Sequence, residues 1–229
     1  MPEFITALAI FIGTHFAMSH PLRAPMAKTL GERGFQIVYS LVSLGTFVWT
    51  VRRYGQLPDE APLWVAGDGL WAAATLLMLI GSILFAGSII GNPALPAPGA
   101  SALTKASPRG ALAITRHPMM WGFASWAATH ILVSPQPKVI ALGLGLAFLA
   151  LAGSAGQDRK KAVLMGEEWR DWQSRTSFIP FAGQIAGRIS WAAALPGRRV
   201  ILIGTLLWLV ATRFHPTFGA PIAGIWRWL

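Results

Sequence analysis

The sequence predicts an all-α fold: a polytopic membrane bundle of about six transmembrane helices, plus a cytoplasmic amphipathic segment lying at the interface. Composition is the first observation behind this. Of 229 residues, 54% are hydrophobic and only 12% charged, with a mean hydropathy of +0.51, whereas soluble domains carry about a quarter charged residues. The second is a series of apolar runs near the roughly 17–25 residues that cross a bilayer as helix. The third is the placement of the basic residues between those runs. Strand-like alternation is absent, and backbone in lipid must be helical or a closed barrel. Eleven Trp and sixteen Pro fit interfacial anchors and turns. There is no Cys, which excludes both disulfides and thiolate sites.

The first span runs from about Glu3 to Ser19. It has Glu3 where a signal peptide has a basic stretch, so it is expected to stay in the mature protein. A short basic loop, Arg23 to Gly34, leads to span two, Phe35 to Thr50. A polar loop with Pro58, Asp59, Glu60, Pro62 and Asp68 precedes span three, Gly69 to Ile90, which holds no charge. The Pro/Ala/Gly/Ser-rich stretch Asn92 to Arg109 lacks apolar periodicity. A loop of that length is commonly functional, and a lid is expected. Span four is Pro118 to Val133, and a tight turn at Ser134–Pro137 makes span five, Val139 to Gly156, its antiparallel partner. Gly143, Gly145, Gly153 and Gly156 are expected to let helices approach closely. Beyond Gln157, Ala162, Leu164 and Met165 with Trp169 and Trp172 predict the amphipathic segment at the membrane surface. Span six is Val200 to Phe214, and Ile225–Leu229 reads as an interfacial anchor.

The loops after spans one, three and five hold three, three and eight Lys/Arg, 14 of the 19 present. The loop after span two has two basic residues against three acids. By the positive-inside rule the N-terminus lies outside and the basic loops face the cytoplasm. That distribution assigns the formal charge of +10 to the membrane surface and not to nucleic acid.

Chemistry concentrates at Ile114–Gly122, where a basic loop becomes an apolar helix. Pro118 suits the first helical position because the N–H it lacks would have no partner there. Arg116 and His117 then sit at a helix mouth, as a fixed cation beside a titratable ring. Four further histidines are present: His15, His20, His130 and His215. Topology places His15 and His117 at similar depth on the cytoplasmic side. His130 lies thirteen residues beyond His117, about 20 Å away along a helix, and shares the outer half with His215. Ionisable groups inside spans face a cavity or a partner. Zinc normally takes three or four N, S or carboxylate ligands, and no acid is evident beside His15 and His117. A haem needs axial ligands, an apolar slot and cations for its propionates. His15 and His117 are therefore expected to ligate haem iron, with Arg116 and Arg23 near the propionates and His130 as the alternative ligand. The expected partners are the lipid bilayer, haem and a small apolar or gaseous ligand.

Gly13-Thr14-His15, Pro21-Leu22-Arg23, Leu30-Gly31-Glu32-Arg33-Gly34 and Tyr39–Leu44 together resemble the N-terminal half of NnrU-type membrane proteins. Ile114–Pro118, Ala128-Thr129-His130, Asp158-Arg159-Lys160, Gly166–Trp169 and Arg175–Phe181 are similar to the second half. The resemblance runs from about residue 10 to 182. Residues 1–182 are thus expected to form an NnrU-like transmembrane domain, and 183–229 a C-terminal segment with the sixth span. The resemblance implies a haem-b protein in nitrite and nitric oxide metabolism, that is, in denitrification. The same family includes 15-cis-zeta-carotene isomerases, so it also implies a haem-dependent isomerase of a polyene. It carries the family's histidines to His15 and His117. A more distant likeness, through the Arg-His-Pro helix start, is to S-adenosylmethionine-dependent membrane methyltransferases; here Gln157-Asp158 stands where they have two acids.

Overall fold

The structure, a computed structural model, describes residues 1–95 and 100–229. Every regular element among them is helical: α1 Pro2–Ser19, α2 Arg23–Gly55, α3 Asp68–Gly87, α4 Ala100–Thr104, α5 Ala111–Ile114, α6 Pro118–Val133, α7 Pro137–Met165, α8 Glu167–Arg175, α9 Ala182–Ile185 and α10 Arg198–Arg213, with short 3-10 turns. Four of these, α1, α2, α3 and α7, are long and apolar enough to cross a membrane.

α3 packs along α6, α6 along α7, and α10 along the other side of α3; α1 is held between α2 and α7. Phe4, Leu8 and Phe11 recur at helical spacing along α1 and bury one stripe against Tyr54 and Leu57 and against Leu142, Leu146 and Leu149 of α7. The opposite logic governs α2, whose Ile37, Leu41, Leu44, Val48 and Val51 form an exposed apolar stripe that a bilayer would cover. Small residues set the helix spacing in the centre. A Cβ on Gly122 would meet the Gly81 carbonyl oxygen at 2.9 Å, and one on Gly204 would meet the Ile83 backbone at 2.7 Å. Of the four glycines expected to allow close approach in α7, Gly143, Gly145 and Gly156 do so, against Ile131, Leu8 and His20; Gly153 faces open space.

Three expectations change. The Arg23–Gly34 loop is helical and continuous with α2 apart from a kink at Gly31, whose φ of 71° suits a residue without Cβ. Ala162, Leu164 and Met165 extend α7 rather than starting a surface helix, and Trp169 and Trp172 are 0% and 1% exposed, packed on Ala94 and Leu112. These indoles therefore fill protein core and not the membrane interface. The connection 92–109 is pinned at both ends. Gln157 and Lys161 donate to the Ala94 and Pro93 carbonyls, Arg175 donates to those of Thr104 and Ala106, and α4 lies between. Residues 96–99, the centre of the expected lid, lie outside the described residues.

Candidate functional site

The turn before α6 is built by pairing with a distant segment. The Thr115 hydroxyl and the Trp121 indole N–H both donate to the Phe178 carbonyl, at 2.6 and 2.9 Å, and the Arg116 backbone N–H donates to the Ser177 carbonyl. The Phe181 N–H donates to Ile114 in return. Pro118 takes the first helical position, as its sequence context predicts.

This clamp aims Arg116 and His117 at one carboxylate. Asp158, on α7, accepts from His117 Nε2 at 2.8 Å through Oδ1, and from Arg116 Nε and Nη2 at 2.8 and 2.7 Å through Oδ2. The His117 ring is 1% exposed and the Asp158 side chain 8%, and both the ring and the guanidinium pack on Phe178. An acid is thus present beside His117, contrary to the sequence expectation. A carboxylate paired with Arg116 only accepts hydrogen bonds, so His117 Nε2 donates to it.

His15 lies in different surroundings. Its Nδ1 donates to the Phe11 carbonyl one turn back at 2.8 Å, and its ring meets Phe11 and Tyr39 edge-on. It lines an apolar cavity of about 650 Å³ with Phe16, Tyr39, Phe47, Phe123 and Trp126. α6 contributes Met120 to that wall, and His117 is not part of it. His15 Nδ1–H is committed to a carbonyl, the support that orients metal-binding imidazoles.

The same cavity adjoins a basic vestibule of about 700 Å³; Phe16, Ser19, His20 and Lys160 line both. Arg23 and Arg159 complete the vestibule's charge, although Arg23 also pairs with Glu32 at 3.0 Å. Arg116 is engaged with Asp158 instead, while Arg23 and His15 flank adjoining spaces. His20 stands at the junction of the two spaces, its ring over Gly156. Burial, and then the charge of Lys160, push its pKa below the ordinary 6.5. A histidine with a lowered folded pKa gives stability that is complete above pH 6.5 and is lost as pH falls from there through the folded value. A His20→Asn variant is expected to show a flatter loss of melting temperature across that acid window than the wild type.

His130, the alternative ligand, lines another cavity toward the far end of α6, and Trp126 contributes to the walls of both that cavity and the one holding His15. Among the described residues no three His, Cys, Asp or Glu side chains cluster as metal ligands. A single axial imidazole, an aromatic slot and adjoining cations nevertheless suit a haem, which asks less of the protein than a bare ion does.

A family model described as NnrU protein matches residues 3–222. The chain is 30% identical over 204 residues to the chloroplastic 15-cis-zeta-carotene isomerase of Arabidopsis thaliana, covering 82% of this chain and 52% of that protein. It is likewise 30% identical over 190 residues to the chloroplastic 15-cis-zeta-carotene isomerase of Zea mays, covering 78% and 49%. The chain thus spans about half the length of the curated relatives it matches. No solved structure matches it.

Proposed function

The chain belongs to the NnrU family, and on that premise we propose that it is an inner-membrane haem-b protein that isomerises a cis double bond of a long apolar polyene. The observation that carries this reading is His15, an imidazole held through Nδ1 by a carbonyl and lining an aromatic cavity that adjoins a cluster of cations. The volume of about 650 Å³ is in the range of sites for one drug-sized ligand. Likeness to two isomerases over four-fifths of the chain supports the substrate class.

When bound, the haem iron supplies a redox-active Lewis acid. His15 would hold it, with the Phe11 carbonyl fixing the imidazole's tautomer and direction. Arg23, Arg159 and Lys160 would neutralise the propionates, and Phe16, Phe47 and Phe123 would exclude water and admit a hydrocarbon. In this reading α6 and α10, 16 residues each, cross together with the four longer helices, giving six spans with the N-terminus outside. Cells accumulating 15-cis-zeta-carotene and expressing the chain are expected to convert it to the isomer with a trans central bond. An unchanged isomer composition beside haem-loaded protein rejects the isomerase.

A second reading, a role in nitrite and nitric oxide metabolism, is favoured by the hold of Asp158 on His117 Nε2. With His117 held on Asp158 and outside the His15 cavity, His15 would be the residue that holds the iron, which would supply binding of a diatomic ligand. Nitric oxide is then expected to shift the Soret band of the reduced protein; an unmoved band removes this reading.

A further inference from the structure

No Asp or Glu follows Asp171, and apart from histidine the only charged side chains after it are six arginines. The first part of this stretch, 179–199, forms short turns that pack on α5. Gln184 donates to the Ala113 carbonyl, and the Gly110 N–H donates to that of Ala193. The stretch reaches α10 level with the end of α3, since a Cβ on Gly87 would meet Val200 at 3.1 Å. Its outer surface is apolar: Ile185, Trp191 and Leu195 are each 60% or more exposed. Their backbone is held, because Trp191 stacks on Phe181 with centroids 5.8 Å apart and Ile189 packs against Gly183.

Three arginines border that surface. Arg198 and Arg199 occupy the first turn of α10, and Arg109 lies beside the same turn, because a Cβ on the adjacent Gly110 would meet Pro196 at 3.5 Å. All three are exposed. None of them is in an ion pair among the described residues. Cations in a first turn also oppose the helix dipole, a cost that negative charge close by relieves. Apolar exposure rimmed by uncompensated cations marks a surface that meets something both oily and anionic.

We propose that residues 179–199 lie in the plane of the cytoplasmic leaflet, with Ile185, Trp191 and Leu195 at the boundary of headgroups and acyl chains and Arg109, Arg198 and Arg199 on anionic phospholipid headgroups. This rests on the six-span reading above, in which α10 enters from the cytoplasm, and is independent of haem. Position and charge select the occupant. The surface stands level with the ends of α3 and α10, so the leaflet edge is already beside it. Trp and aliphatic side chains flanked by arginines are how interfacial elements hold anionic lipid, and a guanidinium matches phosphate geometry. The membrane-surface role that the sequence assigns to Trp169 and Trp172, both buried, falls in this way to Trp191.

The test places the full chain in lipid nanodiscs of phosphatidylcholine, with and without phosphatidylglycerol. Because the chain has no Cys, a single nitroxide label can be attached through Ile185→Cys, Leu195→Cys, Leu206→Cys on α10 or Glu60→Cys in the α2–α3 loop. All four positions are exposed, so the label leaves the core intact. By electron paramagnetic resonance, labels at 185 and 195 are expected to be open to oxygen and shielded from a water-soluble nickel complex. Their shielding is expected to rise with phosphatidylglycerol, to fall again in high salt, and to lose its dependence on phosphatidylglycerol in Arg109→Gln/Arg198→Gln/Arg199→Gln. Labels at 185 and 195 as open to nickel as the one at 60 overturn the proposal, and so does shielding that is equal in the two lipids. Spin–spin broadening between labels at 185 on two copies in one disc also overturns it and gives the face to a second chain. A label at 206 open to nickel rejects α10 as a span; one shielded at 206 beside open labels at 185 and 195 rejects the present proposal alone.

Discussion

A His15→Ala variant is expected to emerge from purification with its Soret band reduced by about tenfold or more relative to protein, whereas His117→Ala is expected to keep most of it. The difference follows from the two rings' hydrogen bonds. His15 spends Nδ1 on the Phe11 carbonyl and lines the aromatic cavity. His117 spends Nε2 on Asp158 and is 1% exposed. Removing the His15 ring enlarges an existing cavity and leaves no buried partner orphaned, so the fold should persist and a loss of colour reports ligation. The check is an absorption spectrum, oxidised and reduced, normalised to protein and run beside His130→Ala, the variant of the alternative ligand. Full colour in His15→Ala with loss in His117→Ala would move the iron to the other ring and remove the reading built on His15.

Asp158→Ala is expected to produce the larger loss of stability. Arg116 is a half-buried cation whose compensating charge comes from the buried Asp158 alone among the described residues, and His117 Nε2–H loses its acceptor in the same step. Removing one partner of a buried pair costs about 3–5 kcal/mol, to be read as a lowered unfolding midpoint in mild detergent. Arg116→Leu/Asp158→Leu should recover much of that loss, because an apolar pair of similar volume leaves no charge uncompensated. If Asp158→Ala unfolds within roughly 0.5 kcal/mol of the wild type, as an ordinary surface change does, the network does not hold the α6–α7 junction together.

The network also marks the limit of reading the chain in order. Pro118 announced the start of α6, because the φ and missing N–H of proline suit a first turn whatever surrounds it. Asp158 stands 41 residues from His117. Resemblance singles it out in Gln157-Asp158, but nothing local names its partners, and only the α6–α7 turn brings it back to the level of His117. A similar limit applies to Trp169 and Trp172. Their spacing beside charged residues suits a membrane surface equally well, but α8 packs on the segment around Ala94 and Leu112 and buries both. His15 and His117, paired by depth and by resemblance, face different neighbours because depth says nothing of rotation about a helix axis.

The amino-acid sequence by itself determined that this chain is helical, that its long apolar helices suit a bilayer, and that it belongs with NnrU proteins. Those properties rest on period, length and motif, which are local. Only the tertiary structure decided which imidazole nitrogens are engaged, which cations adjoin a cavity and which carboxylate is already spent. Hydrogen-bond acceptors and helix rotations are fixed by contacts between segments far apart in the chain, and no local pattern encodes them.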